Sequence, residues 1–303
     1  MMCRRIVING RVWEGDASWR WVDEVLLLPL QAAVERLGAS RRWVIYPQQL
    51  EIEKDGKTLT LEIGAAAAWL QDERISLDCP VYLDNNAVMV PVSLLCRFFK
   101  LSWALVEDAG AAVLSRAEPA LIGKTVLLDP GHGGEDPGII SGDLIEAEFT
   151  WDVAWRLGSL LRLSGAAAAF TRQREETASL IQRTAAAETA KPDLLISIHC
   201  NSFIHPGRNG LETYWYSSWP ARQLAEYIHR ETIEEVEIPD RGVKESAFYV
   251  LRHAPTVSVL VKLGFATGDR DGHILMDRWL RERAALGIFR GIRAFMEAGA
   301  IQM

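Results

Sequence analysis

Along the second half of the chain, short apolar runs alternate with longer stretches in which apolar residues recur every three or four positions. The runs Ala166–Thr171, Leu194–His199, Leu211–Trp215, Phe248–Leu251 and Val257–Phe265 are predicted as strands, after a first apolar strand over Lys124–Asp129. The periodic stretches Glu146–Leu163, Thr177–Ala190, Trp219–Glu235 and Asp277–Met296 are predicted as helices; the first carries Phe149, Val153, Leu157 and Leu160 on one face. This alternation predicts an α/β domain of three layers, a mostly parallel central sheet flanked by helices. In such sheets functional groups collect beyond the carboxyl ends of the strands, and Asp129, His132 and His199 all fall there.

The first half follows another pattern. Glu24 to Gly38, then Arg42-Trp43, is echoed by Ala87 to Lys100, then Ser102-Trp103. Each copy reads as a short strand, a proline at the first helical turn, an amphipathic helix and a Trp-bearing strand. Between the copies, Leu50–Glu53, the turn Lys54-Asp55-Gly56-Lys57 and Thr58–Ile63 read as a hairpin. The expectation is a smaller α+β domain with an internal duplication over residues 1–118. Around Ser115–Gly123 the pattern breaks, and the α/β domain is expected over 121–303. No reactive cluster lies in the first half, which points to a binding or spacer module. Trp13, Trp19, Trp21, Trp43, Trp69 and Trp103 have the chemistry to stack on sugars, although Trp in small domains serves more often as core.

Composition narrows the classes. The 303 residues are 49% hydrophobic and 24% charged, which excludes a disordered or collagen-like chain. Cys3, Cys79, Cys96 and Cys200 form no C-x-x-C pair, so neither a cysteine zinc site nor a redox dithiol is written here. A net charge of −7 argues against nucleic acid as a partner. No run approaches the ~18 apolar residues of a membrane span. The amino terminus enters a strand-like segment without an apolar leader, so the expectation is a protein made without a Sec signal or a sequence that has lost one. All six histidines (132, 199, 205, 229, 253 and 273) follow residue 130, which places any histidine chemistry in the second half.

Metal-assisted hydrolysis needs three rigid ligands and an open position for water. His132 lies in the loop Pro130-Gly-His-Gly-Gly-Glu-Asp-Pro-Gly138, whose backbone can bend around an ion; Glu146 opens a helix; His199 ends a strand. A histidine at a strand end is often only a hydrogen-bonded structural residue, and an acid at a helix start is an ordinary dipole partner. The glycine-rich surroundings of His132 favour the ligand reading without deciding it. Cys200 should face away from His199 by strand alternation. His205, His229, His253 and His273 sit in no motif and are expected to be structural or at the surface.

Taken together, Asp129-Pro-Gly-His-Gly-Gly134, Glu146, Thr171-Arg172, Arg183, Ser197-Ile-His-Cys-Asn-Ser202, Gly210-Leu-Glu-Thr-Tyr214, Arg241-Gly-Val-Lys244 and Gly264-Phe265 resemble, in order, the zinc-dependent N-acetylmuramoyl-L-alanine amidases of the type-3 family. The resemblance implies one Zn2+ per chain held by His132, Glu146 and His199, with peptidoglycan or muropeptides as substrate. It also implies cleavage of the amide between the lactyl group of N-acetylmuramic acid and L-alanine. Asn201, Arg241 and Arg172 match family positions expected to face substrate, although a structural ion pair is as good a reading for Arg172 and Arg183. Action outside the cytoplasm or in the cell wall is the family expectation. The repeated first-half pattern resembles the copper-amine-oxidase N-terminal-like domain over residues 3–117; with no histidine there, no copper is expected.

One departure bears on the chemistry. The family's catalytic Glu stands in a strand that here reads Val259-Leu-Val-Lys-Leu-Gly-Phe265, so Lys262 occupies its place, and Gly268 replaces an Asn. A protonated lysine cannot accept the proton that the Glu accepts. Glu212, on a neighbouring strand, is the nearby acid available to replace it. The resemblance therefore implies an amidase of reduced activity, or a zinc-binding pseudoenzyme that binds peptidoglycan or regulates another hydrolase. A muropeptide carboxypeptidase is a third reading.

Overall fold

The computed structural model describes residues 5–299 except 10, 14, 16, 45–48, 107–110 and 206. Cys3 lies outside the described residues. The chain divides into two compact units, Met1–Ala117 and Glu118–Met303.

In the amino-terminal unit, Val25–Pro29 runs into the helix Leu30–Leu37, and Ala87–Pro91 runs into the helix Val92–Phe99. Pro29 and Pro91 are the N-cap residues, with φ of −64° and −55°. Each helix stops on a residue in the left-handed region, Gly38 at φ 63° and Lys100 at φ 55°, whose N–H closes back on the last turn. The two strands pair antiparallel, Leu28 opposite Val90. The expected hairpin is present as Gln49–Lys54 and Lys57–Glu62, and its Asp55-Gly56 turn has both φ values positive, as a tight two-residue loop requires. Leu50, Ile52, Leu59 and Leu61 from that hairpin join Leu28, Val90 and Phe99 in one core. Trp13 and Trp19 are part of it, whereas Trp21, Trp43 and Trp103 are exposed.

The carboxy-terminal unit is built on a six-stranded sheet in the order Ala167–Phe170, Thr125–Pro130, Leu194–Asn201, Val257–Phe265, Leu211–Trp215, Asp240–Glu245. All neighbouring pairs are parallel except Leu211–Trp215 with Val257–Phe265. The central strands are buried on both sides, which is why they read as unbroken apolar runs. On one face Glu146–Leu163 buries Phe149, Val153, Leu157 and Leu160, the stripe anticipated from its periodicity. There the helices Trp219–Glu235 and Arg278–Glu297 meet at very close range: a Cβ on Gly291 would lie 2.4 Å from Ile228 Cα, and one on Gly287 2.5 Å from Thr232 Cα. On the other face Leu180–Ala190 and Tyr249–His253 cover Leu127, Leu195 and Leu260.

The sequence expectations need three corrections. Phe248–Leu251, expected as a strand, is the start of the helix Tyr249–His253. Four apolar residues carry no usable period, so the run is ambiguous by itself. The helix expected from Thr177 begins at Leu180, because the Ser179 hydroxyl accepts from Gln182 N–H and the Gln182 side chain accepts from Ser179 N–H. The edge strand Asp240–Glu245 was not anticipated, being polar, half-exposed and interrupted by Gly242.

Candidate functional site

Strand alternation decides which side chains reach the site. Leu127 and Asp129, Leu195 with Ser197 and His199, Leu260 and Lys262, and Glu212 with Tyr214 all project to the sheet face covered by Leu180–Ala190 and Tyr249–His253. The parallel strands end there. His199 and Lys262 are register partners on adjacent strands, and Glu212 is opposite Lys262 on the next.

The loop after Thr125–Pro130 returns at once across the strand ends, anchored by Gly131 N–H donating to the Ile198 carbonyl. His132 itself has φ 57°, and its Nδ1 lies 2.8 Å from Asp136 Oδ2, which fixes the ring and turns Nε2 toward Glu146, 3.3 Å away. Glu146 is 1% exposed; its Oε1 accepts from Cys200 N–H at 2.8 Å and lies 3.1 Å from His199 Nδ1. One donor atom from each of His132, Glu146 and His199 lies within 4.8 Å of the other two. The loop needs glycine where it passes these side chains: a Cβ on Gly131 would fall 2.2 Å from the His199 ring, and one on Gly138 2.6 Å from the His132 ring and 2.9 Å from Glu146 Oε2. Burial alone would raise the Glu146 pKa, but hydrogen bonds from His132 and His199 outweigh it and hold the carboxyl well below its usual range. Two imidazoles and an ionised carboxylate converging on one point are a donor set that fits Zn2+. Cys200 is buried, with its strand position directing it away from this group.

Beneath the loop lies a buried ion pair. Arg183 donates to Asp129 Oδ1 at 2.7 Å and to the carbonyls of Pro130 and His132; Thr171 and Ser197 hydroxyls donate to the same carboxylate. Arg172, read from the sequence as either substrate-facing or structural, is 2% exposed and donates to the carbonyls of Pro130, Gly131, Ala147, Gln173 and Arg174. It organises the loop from below and does not reach the cavity. Burial and the neighbouring Arg183 bring its pKa down to about 10.

Glu212 also corrects its expectation. It is 4% exposed and accepts from Arg241 (2.8 Å), Lys244 (2.6 Å), Asn201 (2.6 Å) and the Tyr214 hydroxyl (2.6 Å). Burial opposes its ionisation, yet these donors carry its pKa down to about 2. A carboxylate so occupied is a counter-charge and a poor proton acceptor. Asn201 joins it to Lys262, whose Nζ donates to Asn201 Oδ1 at 3.2 Å. Arg241 stays partly exposed, its guanidinium 5.3 Å from the Phe265 ring centre. His229 is structural, bonded to Thr213 and Asp240.

His132, His199 and Lys262 line a cavity of about 370 Å3 whose apolar wall includes Leu180, Phe248 and Tyr249. Two of its features escaped the sequence reading. The grip of Asp136 on His132 was legible as an acid four residues after a histidine in a glycine loop. The Phe248–Tyr249 wall was hidden by the strand expectation. The amino-terminal unit has a larger cleft, about 720 Å3, in which Trp13 donates to Glu35 and Arg20 pairs with Asp84.

Comparison with known proteins agrees with this geometry. The sequence model of the copper amine oxidase N-terminal domain matches residues 7–110. The amidase LytC of Bacillus subtilis is 35% identical over 182 residues, covering 59% of this chain and 37% of LytC. The uncharacterized protein YqiI of the same organism is 36% identical over 205 residues, 65% of this chain and 99% of YqiI. The chain thus spans little more than a third of LytC but nearly all of YqiI. Among solved structures, the amidase AmiC2 of Nostoc punctiforme superposes with a TM-score of 0.55 at 34% identity, over 57% of this chain and 97% of that one. The catalytic domain of the amidase CwlV from Bacillus (Paenibacillus) polymyxa gives 0.55 at 29%, over 57% and 98%. The N-acetylmuramoyl-L-alanine amidase model matches residues 126–294, more than half of the chain, and by this match the chain belongs to the N-acetylmuramoyl-L-alanine amidase family.

Proposed function

We propose that this protein is a zinc-dependent, slow N-acetylmuramoyl-L-alanine amidase acting on peptidoglycan outside the cytoplasm. The observation that carries the reading is the convergence of His132, Glu146 and His199 at the cavity that Lys262 also lines. Those three residues would hold one zinc ion, which when bound polarises the scissile carbonyl and acidifies water. Asp136 keeps the His132 Nδ1 proton in place and so leaves Nε2 as a ligand atom. Arg172 and the Asp129–Arg183 pair keep the loop rigid, and Leu180, Phe248 and Tyr249 give the cavity one apolar wall. Asn201 and Arg241, which bond Glu212 beside the Lys262 strand, would orient amide and carboxylate groups of the stem peptide. The amino-terminal unit serves as a spacer or wall-binding module.

Proton transfer is the weak step. As an ammonium, Lys262 Nζ can only donate. Burial lowers its pKa, against the pull of Glu146 and Glu212, and enlarges the neutral fraction that can take a proton from water and return it to the L-alanine nitrogen. A rate limited by that fraction is slow. The same residue favours a second reading, a zinc-bearing pseudoenzyme that binds peptidoglycan. Digestion of purified sacculi separates the two, with zinc measured on the same sample. The amidase reading expects about one zinc per chain, slow release of L-alanine amino termini, and loss of both in His199→Ala. Zinc retention without any release supports the pseudoenzyme.

A further inference from the structure

Lys262 is half-buried at the centre of the sheet, and its ammonium is nevertheless in no ion pair among the described residues. Its register partners are His199 on one side and Glu212 on the other. Both nearby carboxylates are committed elsewhere: Glu146 to His132, His199 and Cys200 N–H, and Glu212 to Arg241, Lys244, Tyr214 and Asn201. Among the described residues Nζ makes one hydrogen bond, 3.2 Å to the amide oxygen of Asn201, and lies 5.5 Å from the Phe248 ring centre. An ammonium has three donors, so two remain for the cavity. A partly desolvated cation without a counter-charge is costly, and an arriving anion would remove that cost. One carboxylate, Glu212, already serves two further cations, Arg241 and Lys244, so it is not a dedicated partner for Lys262. The cavity adds an apolar wall, and its 370 Å3 suits a small organic acid.

We propose that Lys262 makes this cavity a binding site for a free carboxylate, so that the protein prefers the acid to the corresponding amide. This rests on reading the cavity as the peptidoglycan cleft. Two sources share that chemistry, the lactyl carboxylate left on N-acetylmuramic acid after cleavage and the carboxyl end of a stem peptide. Either would be held by Nζ while its carbon skeleton packs on Phe248 and Tyr249. A family member with a carboxylate at this position would repel the same group, so the preference belongs to this chain's own residue.

Calorimetric titration of the full-length protein tests it, with zinc content measured on every sample. The probes are N-acetylmuramic acid and acetyl-D-alanyl-D-alanine, each compared with its own N-methylamide. At least one acid is expected to bind about tenfold or more tightly than its amide, and which acid does so identifies the source. Lys262→Arg should keep the preference; Lys262→Met, of similar length but uncharged, should lose it at unchanged zinc content. If Lys262→Met does not fold, Lys262→Gln takes its place. Equal affinity for acids and amides, no binding of any probe, or a preference that survives removal of the charge would overturn the proposal. Sacculus digestion is scored separately: cleavage without the preference rejects only the carboxylate site, and the preference without cleavage rejects only the amidase reading.

Discussion

Asp129 is 1% exposed and exists as a carboxylate only because Arg183, Ser197 and Thr171 surround it. Burial by itself would raise its pKa; the charge of Arg183 and the three hydrogen bonds win, and the folded value lies below the ordinary one. Its contribution to stability is therefore complete above the unfolded value of ~3.9 and is lost as pH falls through the depressed folded value. Asp129→Asn, which leaves Arg183 buried and unpaired, should cost about 3–5 kcal/mol near neutrality. Urea midpoints measured from pH 5 to pH 2 should fall less steeply in that variant than in wild type, and parallel slopes would contradict the assignment. At this scale the sequence was partly legible. Position at strand ends and at a helix start made His132, Glu146 and His199 candidates, since those places share one rim of a parallel sheet; the resemblance singled them out as a set, and the structure brings them together. Arg172 and Glu212 were not legible in the same way. What they do depends on which carbonyls and cations arrive from distant segments, and local sequence does not carry that information.

Elements repeat the lesson. Long periodic segments such as Glu146–Leu163 and runs such as Val257–Phe265 match their expected bounds, because burial on one stripe or on both faces leaves a strong pattern. Tyr249–His253, Asp271–Met276 and the two-residue strands Ile140–Ser141 and Leu144–Ile145 are too short to carry a period. The pairing of Trp219–Glu235 with Arg278–Glu297 shows what a helix surface can hide. Gly291 looks like a weak point in a helix, yet it is where Ile228 Cα would meet a Cβ at 2.4 Å. Gly291→Ala gains helix propensity of about 1 kcal/mol but forces two backbones apart, for which overpacking costs of about 1–3 kcal/mol are usual. A lower melting temperature is expected; a rise would mean that the two helices separate freely.

For the whole molecule, the division at Ala117–Glu118 agrees with the way solved relatives occur. The CwlV catalytic domain stands alone as a chain and is matched over 98% of its length. A fragment beginning at Glu118 should fold, retain zinc and show the full chain's activity toward soluble muropeptides. Its affinity for sacculi should be equal or lower, the difference measuring what the amino-terminal unit adds. An insoluble or zinc-free fragment would contradict independence of the unit.

The central claim is that a complete zinc-binding group works here beside a lysine in place of a carboxylate. Zinc-loaded wild type and Lys262→Glu should be compared for release of L-alanine amino termini from the same sacculi. General acid–base assistance contributes about 10²–10⁴-fold, and an increase within that range is predicted for Lys262→Glu. A Lys262→Glu protein that holds zinc and releases no L-alanine amino termini, or that is slower than wild type, would contradict the account.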